Sequence, residues 1–249
     1  MNPYIASAVA EMDKVPVSRL EHPGPGAMDP ASCRFLAGFV RALGARRIIE
    51  FGSGFSTLMM AREIAPLENN YLLSIDDSPQ YSALAKEAFD SSGCQARVEF
   101  RVAPLRPKLY GSRLLLSYSL PKGLLEALGP FDLALIDAPR DYSRESVFYD
   151  VFRALSPGGY IILDDANRVD AERAYARSWQ AAYDQAIDPI LLEGIGDGLG
   201  VIEKLSEAEP AYPFAGSLKV SLKTMRNFSR LLFRSEQKIS EEQSISRGE

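Results

Sequence analysis

The sequence predicts an α/β fold of the Rossmann-like, doubly wound class, with a mostly parallel seven-stranded sheet and a terminal antiparallel hairpin. Short apolar runs alternate with segments of helical periodicity, a pattern typical of parallel strands covered by helices. The first apolar run, Arg47–Phe51, leads into a turn with two glycines. Acidic residues follow several later runs, at the sheet edge where such folds bind nucleotides.

Composition is compatible with one α/β domain that carries extensions. The chain has 249 residues, 46% of them hydrophobic, which is enough to bury a substantial core. Its formal net charge of -5 offers no general attraction for phosphate backbones, so nucleic acid is not an expected partner. Cys33 and Cys94 lie far apart without metal-site spacing, and we expect both to be packing thiols.

Localisation and domain organisation are predicted from the same composition. Residues 1–17 show no basic leader before an apolar core, and no later apolar stretch reaches about 18 residues. We therefore expect a cytoplasmic protein. The predicted parts are an N-terminal helical cover over 1–43, the core over 44–205, a basic amphipathic helix over 206–235 and a disordered tail over 236–249.

The individual elements follow from local signals. Prolines before residue 28 indicate a short helix and then an irregular segment, which we expect to cover the ligand cleft. Asp29 and Pro30 start a helix that Gly44 ends, because aspartate caps free amide groups and proline suits the first helical position. The next predicted elements are strand 47–51, helix 56–64, strand 71–75, helix 82–91, strand 97–102, strand 131–136, strand 160–163 and helix 170–183.

Two further segments complete the core. Prolines and glycines interrupt residues 104–130, so we expect an irregular loop there, of a length that is often functional. The runs 189–192 and 200–204 are separated by three glycines and predict the closing antiparallel pair.

The C-terminal helix mixes apolar and basic residues over 218–234. A basic amphipathic helix can lie on a membrane surface. Its apolar positions follow ordinary core-facing periodicity, however, which favours packing on its own domain or on a second subunit in a homodimer.

The glycine turn and the acid after the second strand predict an adenosine-containing ligand. Glycine lacks Cβ, so Gly52 and Gly54 can take positive φ and let a ligand approach the main chain. Asp76 follows the turn by about 20 residues, the offset expected for an acid that binds ribose hydroxyls.

The residues from Arg46 to Lys204 resemble class I S-adenosylmethionine-dependent methyltransferases. Four segments match motifs of that family in the same order, and jointly they are far more specific than any one alone. These segments are Glu50–Gly54 at the glycine turn, Ser74–Pro79 at the second strand, Phe131–Asp137 at the fourth strand and Leu155–Gly159 before the fifth.

The resemblance implies roles for particular residues. The main chain of Gly52–Gly54 would contact the methionine part of S-adenosylmethionine, Asp76 the ribose, and residues near Ala103 the adenine. The chain departs from the family after the third strand, where Val102–Pro104 stands in place of an acid, and Ser56 replaces a third glycine. The predicted cofactor-binding residues are Glu50, Gly52, Ser53, Gly54, Ser56, Thr57, Asp76, Asp77, Ala103 and Asp137.

Within the superfamily, the chain looks most similar to small-molecule O-methyltransferases of the macrocin and catechol types. Members of that group bind magnesium through acids after the fourth and fifth strands, and Asp137, Asp164 and Asp165 match those positions. A second interpretation stays open. In it, the acid pair caps the next turn and pairs with Arg140 or Arg168, while Asp137 contacts the cofactor.

Methyl transfer to an oxygen also requires removal of a proton. His22 is the only histidine and lies in the irregular leader, so we expect Asp137 to be catalytic, or Arg140 as a partner for developing alkoxide. Tyr118 and Tyr142 are candidates for the substrate pocket, although most tyrosines merely pack.

Two rival functions share some of these sequence features. Tyr118 and Lys122 have the spacing of a dehydrogenase pair, but the intervening Pro121 is incompatible with one helical face. The turn also lacks the glycine that a dinucleotide fingerprint would have at Thr57. A non-catalytic module that binds an adenosyl cofactor is the second rival. We expect a methyltransferase acting on an oxygen of a small molecule, with the acceptor unidentified.

Overall fold

The structure is a computed structural model that describes residues 2–15, 28–139, 144–168 and 172–245. The strands are β1 Arg47–Phe51, β2 Tyr71–Asp76, β3 Val98–Val102, β4 Leu105–Tyr110, β5 Arg113–Tyr118, β6 Phe131–Ile136, β7 Leu155–Leu163, β8 Ile187–Leu192 and β9 Leu199–Lys204. The helices are α1 Pro3–Glu11, α2 Pro30–Leu43, α3 Phe55–Ile64, α4 Pro79–Ser91, α5 Leu124–Leu128, α6 Arg144–Phe152, α7 Glu172–Tyr183 and α8 Ser217–Ile245.

Seven of these strands form one sheet in the order β3-β2-β1-β6-β7-β9-β8. The first five in that order are parallel, whereas β9 runs antiparallel to both β7 and β8. The predicted Rossmann-like fold and its closing hairpin are therefore confirmed. The chain connections reverse direction between β1 and β6, the place where doubly wound sheets bind ligands beyond the carboxyl ends of their strands.

Alternate residues of the central strands pack on opposite faces of this sheet. Ile49 and Leu73 belong to one buried cluster, which includes side chains of α6, α7 and β5. Ile48 and Leu72 belong to a second cluster, with side chains of α1, α2 and α3. Strands covered on both faces are almost continuously apolar, and for this reason they can be recognised in the sequence.

Helix α2 begins and ends where the sequence predicts. The Asp29 carboxylate accepts hydrogen bonds from the N–H groups of Ala31 at 2.8 Å and Ser32 at 3.1 Å. Pro30 occupies the first turn, and Gly44 closes the helix in the left-handed conformation at φ 63°.

The prediction of an irregular loop over 104–130 is wrong. Strands β4 and β5 form an antiparallel hairpin there, separate from the main sheet. Gly111 has a φ of +59° at the first position of the two-residue turn, as a type II′ hairpin requires. Pro107 is tolerated because β4 pairs only with β5 and therefore lies at an edge. Pro107 and Gly111 look like interruptions in the sequence pattern. In the structure they are a residue of an edge strand and the turn residue of this hairpin.

Helix α1 packs closely against α2. A Cβ on Gly38 would lie 2.8 Å from the carbonyl oxygen of Ala8, so glycine is needed for this approach. Asn2 also donates a hydrogen bond to the Tyr160 hydroxyl at 2.9 Å, which ties α1 to β7. Residues 16–27 lie outside the described part of the chain, and the expected cover over the cleft stays a prediction.

Helix α8 packs on the β4–β5 hairpin, where the Ser221 hydroxyl accepts a hydrogen bond from the N–H of Leu114 at 2.9 Å. It includes part of the segment 236–249, for which the sequence predicts disorder, and that expectation stays a prediction. Leu218 and Leu222 on the outer side of α8 are exposed. Within the described ranges, no helix combines the length and apolar character needed to cross a membrane.

Candidate active site

The turn between β1 and α3 contains two glycines with different surroundings. Gly52 has a φ of +110°, which L side chains rarely adopt. A Cβ on Gly52 would lie 2.9 Å from Ala138 Cβ and 3.1 Å from Ala138 N, because the loop after β6 passes beside it. A Cβ on Gly54 would meet no described atom within 4 Å. Gly52 therefore permits close packing of two strand ends, and Gly54 leaves open space beside the turn.

Glu50 lies beneath this turn at the centre of a buried network of hydroxyl groups. Its carboxylate accepts hydrogen bonds from the hydroxyls of Ser56, Thr57 and Ser74, the last at 2.9 Å. The Thr57 hydroxyl in turn accepts the N–H of Gly54 at 3.0 Å. Glu50, Ser56 and Thr57, predicted to bind the cofactor, thus form a layer that supports the glycine turn.

Asp76 joins the glycine turn to the ends of β2 and β3. One of its carboxylate oxygens accepts the N–H of Ser53 at 2.8 Å, and the other accepts the N–H of Ser78 at 2.6 Å. The N–H of Ala103 donates to the Asp76 carbonyl at 2.8 Å. Ser53, Asp76 and Ala103 come from separate strand ends, and the fold brings them together. Asp77, the next residue, is half-buried beside them.

Burial changes the acidity of both carboxyls. It raises the pKa of Glu50 to about 8, even though the hydroxyls of Ser56, Thr57 and Ser74 lower it. It also raises the pKa of Asp76 to about 6, against the lowering effect of its two main-chain N–H donors.

Three aspartates from the next two strand ends form a second part of the site. Asp137 follows β6, and Asp164 and Asp165 follow β7. Each offers a carboxylate oxygen, and these oxygens lie within 4.8 Å of one another. The N–H of Asp137 donates to the Phe51 carbonyl at 3.0 Å, which places this acid cluster next to the glycine turn. Burial, and then the neighbouring carboxylates of Asp137 and Asp165, raise the pKa of Asp164.

Arg144, which was not identified from the sequence, lies against this acid cluster. Its side chain is only 3% exposed, and its Nη2 lies 3.2 Å from Asp137 Oδ1 and 3.3 Å from Asp165 Oδ2. The guanidinium also donates to the main-chain carbonyls of Asp137 and Asp164. Arg168 Nη2 lies 2.9 Å from Asp165 Oδ2 and is half-exposed, as the second interpretation of the acids predicts.

Comparison with known proteins shows the family of this chain. A family described as a methyltransferase domain matches residues 49–166. A putative O-methyltransferase from Mycolicibacterium vanbaalenii is 30% identical over 190 residues, which cover 71% of this chain and 76% of that protein. The chain belongs to the class I S-adenosylmethionine-dependent O-methyltransferase-like family.

A second relative is also named an O-methyltransferase, and a solved structure shares the fold. A catechol O-methyltransferase from Niastella koreensis is 27% identical over 182 residues, which cover 68% of this chain and 76% of that protein. The crystal structure of an O-methyltransferase from Bacillus cereus in complex with S-adenosylhomocysteine has a similar fold, with a TM-score of 0.56 and 19% identity. It covers 80% of this chain and 90% of that one.

Within this O-methyltransferase, Tyr118 lies at the end of β5, and its ring is tilted by 36° against that of Phe51, with ring centroids 5.5 Å apart. Its hydroxyl is buried and has no hydrogen-bond partner among the described residues. Lys122 lies in the loop after the strand, so this pair does not share the helical face that a dehydrogenase needs. The predicted residues His22, Arg140 and Tyr142 lie outside the described residues.

Two shallow depressions in the described surface lie away from these acids. One is lined by Arg62 and by Ser92–Gln95, and the other by Arg47, Asn69 and Arg97. Both lie at the amino ends of the parallel strands, opposite to the edge where this fold binds ligands. The edge at the carboxyl ends of the parallel strands, with its buried acids, is therefore the candidate active site of the methyltransferase.

Proposed function

We propose that this O-methyltransferase binds S-adenosylmethionine across the ends of β1, β2, β3 and β6, and methylates a small molecule in front of the acid cluster. The hydrogen bond from the Ser53 N–H to the Asp76 carboxylate is the observation that carries this proposal. It holds the glycine turn and the ribose-binding candidate in one rigid unit.

The open space beside the glycine turn and the polar groups around it support the cofactor assignment. The open space beside Gly54 suits a ligand that lies against the main chain. Asp76 keeps free acceptor capacity for ribose hydroxyls, because each carboxylate oxygen can accept a second hydrogen bond. The buried Tyr118 hydroxyl also suits a polar ligand, since most buried polar atoms are paired.

We assign the predicted cofactor-binding residues to two roles. The glycine turn is stabilised by Glu50, Ser56 and Thr57. The cofactor is contacted by Gly52, Ser53, Gly54, Asp76, Asp77 and Ala103. When bound, S-adenosylmethionine supplies the methyl group on its sulfonium. Asp137 orients the acceptor hydroxyl and takes its proton as the oxygen–methyl bond forms and the sulfur–methyl bond breaks. Arg140, three residues after Asp137 in the sequence, is the expected charge partner for the developing alkoxide.

A small-molecule acceptor is favoured by the relatives and by charge. One relative is named a catechol O-methyltransferase, and several others are named as putative O-methyltransferases. The formal net charge of -5 disfavours a nucleic-acid acceptor. A cytoplasmic location, and packing of 218–234 on its own domain or in a homodimer rather than on a membrane surface, remain predictions from the sequence.

Magnesium does not suit the residues around the acid cluster. Mg²⁺ demands near-octahedral coordination and usually keeps several waters. The oxygens of Asp137, Asp164 and Asp165 are close enough together, but the buried Arg144 guanidinium already contacts two of the three carboxylates. A fixed cation among the ligands repels a divalent ion. The proposed methyl transfer therefore includes no step at a metal.

Calorimetry with the full-length protein tests the proposed function. We expect S-adenosylmethionine and S-adenosylhomocysteine to bind, and nicotinamide cofactors not to bind. Asp76→Asn should weaken binding about 10- to 100-fold, because a hydrogen bond to a charged group is worth about 1.5–3 kcal/mol. Asp77→Asn is the matched comparison and should change the affinity less, since Asp76 alone accepts the Ser53 N–H.

Activity distinguishes an enzyme from a passive cofactor-binding module. Phenolic and catecholic compounds are incubated with S-adenosylmethionine, and release of S-adenosylhomocysteine is measured. Acceptor-dependent release supports the proposal. Tight binding without release to any hydroxylated acceptor would favour the passive module, and tight nicotinamide binding alone would overturn the methyltransferase.

A further inference from the structure

The acid cluster contains its own positive charges. Three carboxylates, those of Asp137, Asp164 and Asp165, meet at the ends of β6 and β7. Arg144 pairs with Asp137 and Asp165, and Arg168 pairs with Asp165. Two guanidinium groups thus lie against three carboxylates. The O-methyltransferases that this chain resembles bind magnesium at these positions.

Arg144 is fixed in this position. It is the first residue of α6, and its side chain is 3% exposed. Besides the two carboxylates, it binds the carbonyl oxygens of Asp137 and Asp164, the latter at 2.7 Å. These carbonyls belong to two neighbouring strand ends, so the guanidinium joins β6 to β7. An arriving ion would have to displace a side chain that is buried and bound on several sides.

Arg168 differs from Arg144 in being removable. It pairs with Asp165 at 2.9 Å, but its side chain is 52% exposed. A surface ion pair of this kind contributes little and is readily exchanged for water. Arg144 and Arg168 thus contact the same carboxylate, that of Asp165, but differ in burial. The effects of replacing each arginine can therefore be compared.

We propose that Arg144 stands in for the divalent cation at this acid cluster, so that methyl transfer by this enzyme needs no metal. Arg144 is a positioning residue. It keeps the Asp137 carboxylate oriented toward the acceptor and balances the charge of Asp165, through a planar fork of donors that suits carboxylates. The proposal rests on the proposed function, because it concerns how the acceptor hydroxyl is aligned for methylation.

The first experiment measures metal dependence of the wild-type protein. The protein is treated with EDTA, the chelator is removed, and both methyl transfer and Mg²⁺ binding by calorimetry are measured. We expect activity to stay within about twofold with or without Mg²⁺, and no heat of Mg²⁺ binding. Loss of activity of tenfold or more on chelation, restored by Mg²⁺, would overturn the proposal.

The second experiment asks whether removing the guanidinium creates a cation site. Arg144→Met leaves the acid cluster without its buried guanidinium, so this variant should gain affinity for Mg²⁺, and for Tb³⁺ as a luminescent probe. Arg168→Met is the matched control and should gain at least tenfold less affinity for either ion. Equal cation affinity of wild type and Arg144→Met would contradict the proposal.

A third variant covers the case in which Arg144→Met does not fold. Arg144→Lys keeps the charge but loses the planar fork, so its kcat should fall while the KM for S-adenosylmethionine and the absence of Mg²⁺ binding are retained. Mg²⁺ binding by this charged variant would count against the idea. If wild type binds S-adenosylmethionine but is active only with Mg²⁺, this inference fails and the proposed function survives; if it binds no adenosyl cofactor, the proposed function itself fails.

Discussion

At the scale of single residues, the two glycines of the first turn meet opposite requirements. Gly52 is constrained from within the protein, by its φ of +110° and by the approach of Ala138. Gly54 has extended backbone and open space around it, so nothing described in the protein requires a glycine there. The difference separates a residue needed for packing from one that leaves room for a ligand.

Substitution of each glycine by alanine should therefore give different results. Gly52→Ala should lower the free energy of unfolding by about 1–3 kcal/mol, through backbone strain and the contact with Ala138. Gly54→Ala should change stability by less than about 1 kcal/mol but weaken S-adenosylmethionine binding, because the methyl group fills the open space. Urea unfolding and calorimetry measure the two effects, and equal stability losses in both variants would contradict this assignment.

Glu50 shows how burial and hydrogen bonding compete at one carboxyl. Its side chain is fully buried, and burial raises its pKa from 4.5 to about 8. Three hydroxyl donors act in the opposite direction but do not outweigh burial. The folded protein thus holds a proton on Glu50 at pH values where the unfolded chain releases it.

Stability should consequently depend on pH through Glu50. Between the unfolded pKa of 4.5 and the folded pKa of about 8, the folded state binds more protons, so this contribution is complete below pH 4.5 and is lost as pH rises to about 8. Glu50→Gln removes this titration. The wild-type free energy of unfolding should fall relative to the variant by up to about 1.4 kcal/mol per pH unit across that window. Urea unfolding of both proteins tests this, and parallel pH profiles would show that Glu50 is already ionised in the folded protein.

At the scale of elements, the β4–β5 hairpin connects the cleft to the C-terminal segment. Tyr118 on β5 packs against Phe51 of the central strand β1. At the other end of the hairpin, Tyr212 lies against the turn, and a Cβ on Gly111 would approach Tyr212 Cβ to 2.8 Å. The turn glycine therefore serves both the hairpin and the packing of the segment before α8.

A pair of turn glycines can separate these two demands. Gly111→Ala meets both a positive φ and the Tyr212 side chain, whereas Gly93→Ala meets a positive φ of 68° with no described atom within 4 Å. Gly93→Ala should cost about 1–2 kcal/mol of stability, the price of a left-handed residue with a Cβ. Gly111→Ala should cost more, and its excess should disappear in the Tyr212→Gly background, which removes the Tyr212 Cβ that lies 2.8 Å from the added methyl group. A double-mutant cycle by urea unfolding measures this coupling, and an additive result would show that Tyr212 does not press on the turn.

At the scale of the whole molecule, the sheet separates two hydrophobic cores, one on each face. The candidate active site lies at the carboxyl ends of its parallel strands. The five parallel strands that end there are β1, β2, β3, β6 and β7. A ligand at these strand ends therefore contacts segments that are distant in sequence. Such a ligand stabilises the folded state as a unit, because the unfolded chain has no corresponding site.

Thermal unfolding should report this linkage. S-adenosylmethionine or S-adenosylhomocysteine at about 100 times its Kd should stabilise the protein by about 2.7 kcal/mol. For a chain of this size, that corresponds to a rise in Tm of roughly 5–11 °C, measured by differential scanning calorimetry. Asp76→Asn should reduce the rise at the same ligand concentration. NADH should leave Tm unchanged, and a rise with NADH alone would point to the dehydrogenase alternative.

Much of this architecture was predictable because its signals are local. The caps of α2, the apolar strands and the glycine turn depend on residues close together in the chain, and the spacing of Asp76 depends on one strand–helix–strand unit. The β4–β5 hairpin was missed because Pro107 and Gly111 interrupt a strand pattern unless the strand is known to lie at an edge. Edge position depends on which strands pair, and local sequence does not contain that information.

The sequence by itself determined the fold class, the family and the acids that gather at the carboxyl ends of the strands, since each follows from periodicity or from a short motif. Only the tertiary structure decided which charges face those acids. Arg144 precedes Asp165 by about 20 residues, and its contact with that acid and with Asp137 depends on β6 and β7 being neighbours. The strand order brings residues that are distant in sequence close enough to form ion pairs. These ion pairs place a guanidinium where a metal ion would otherwise bind.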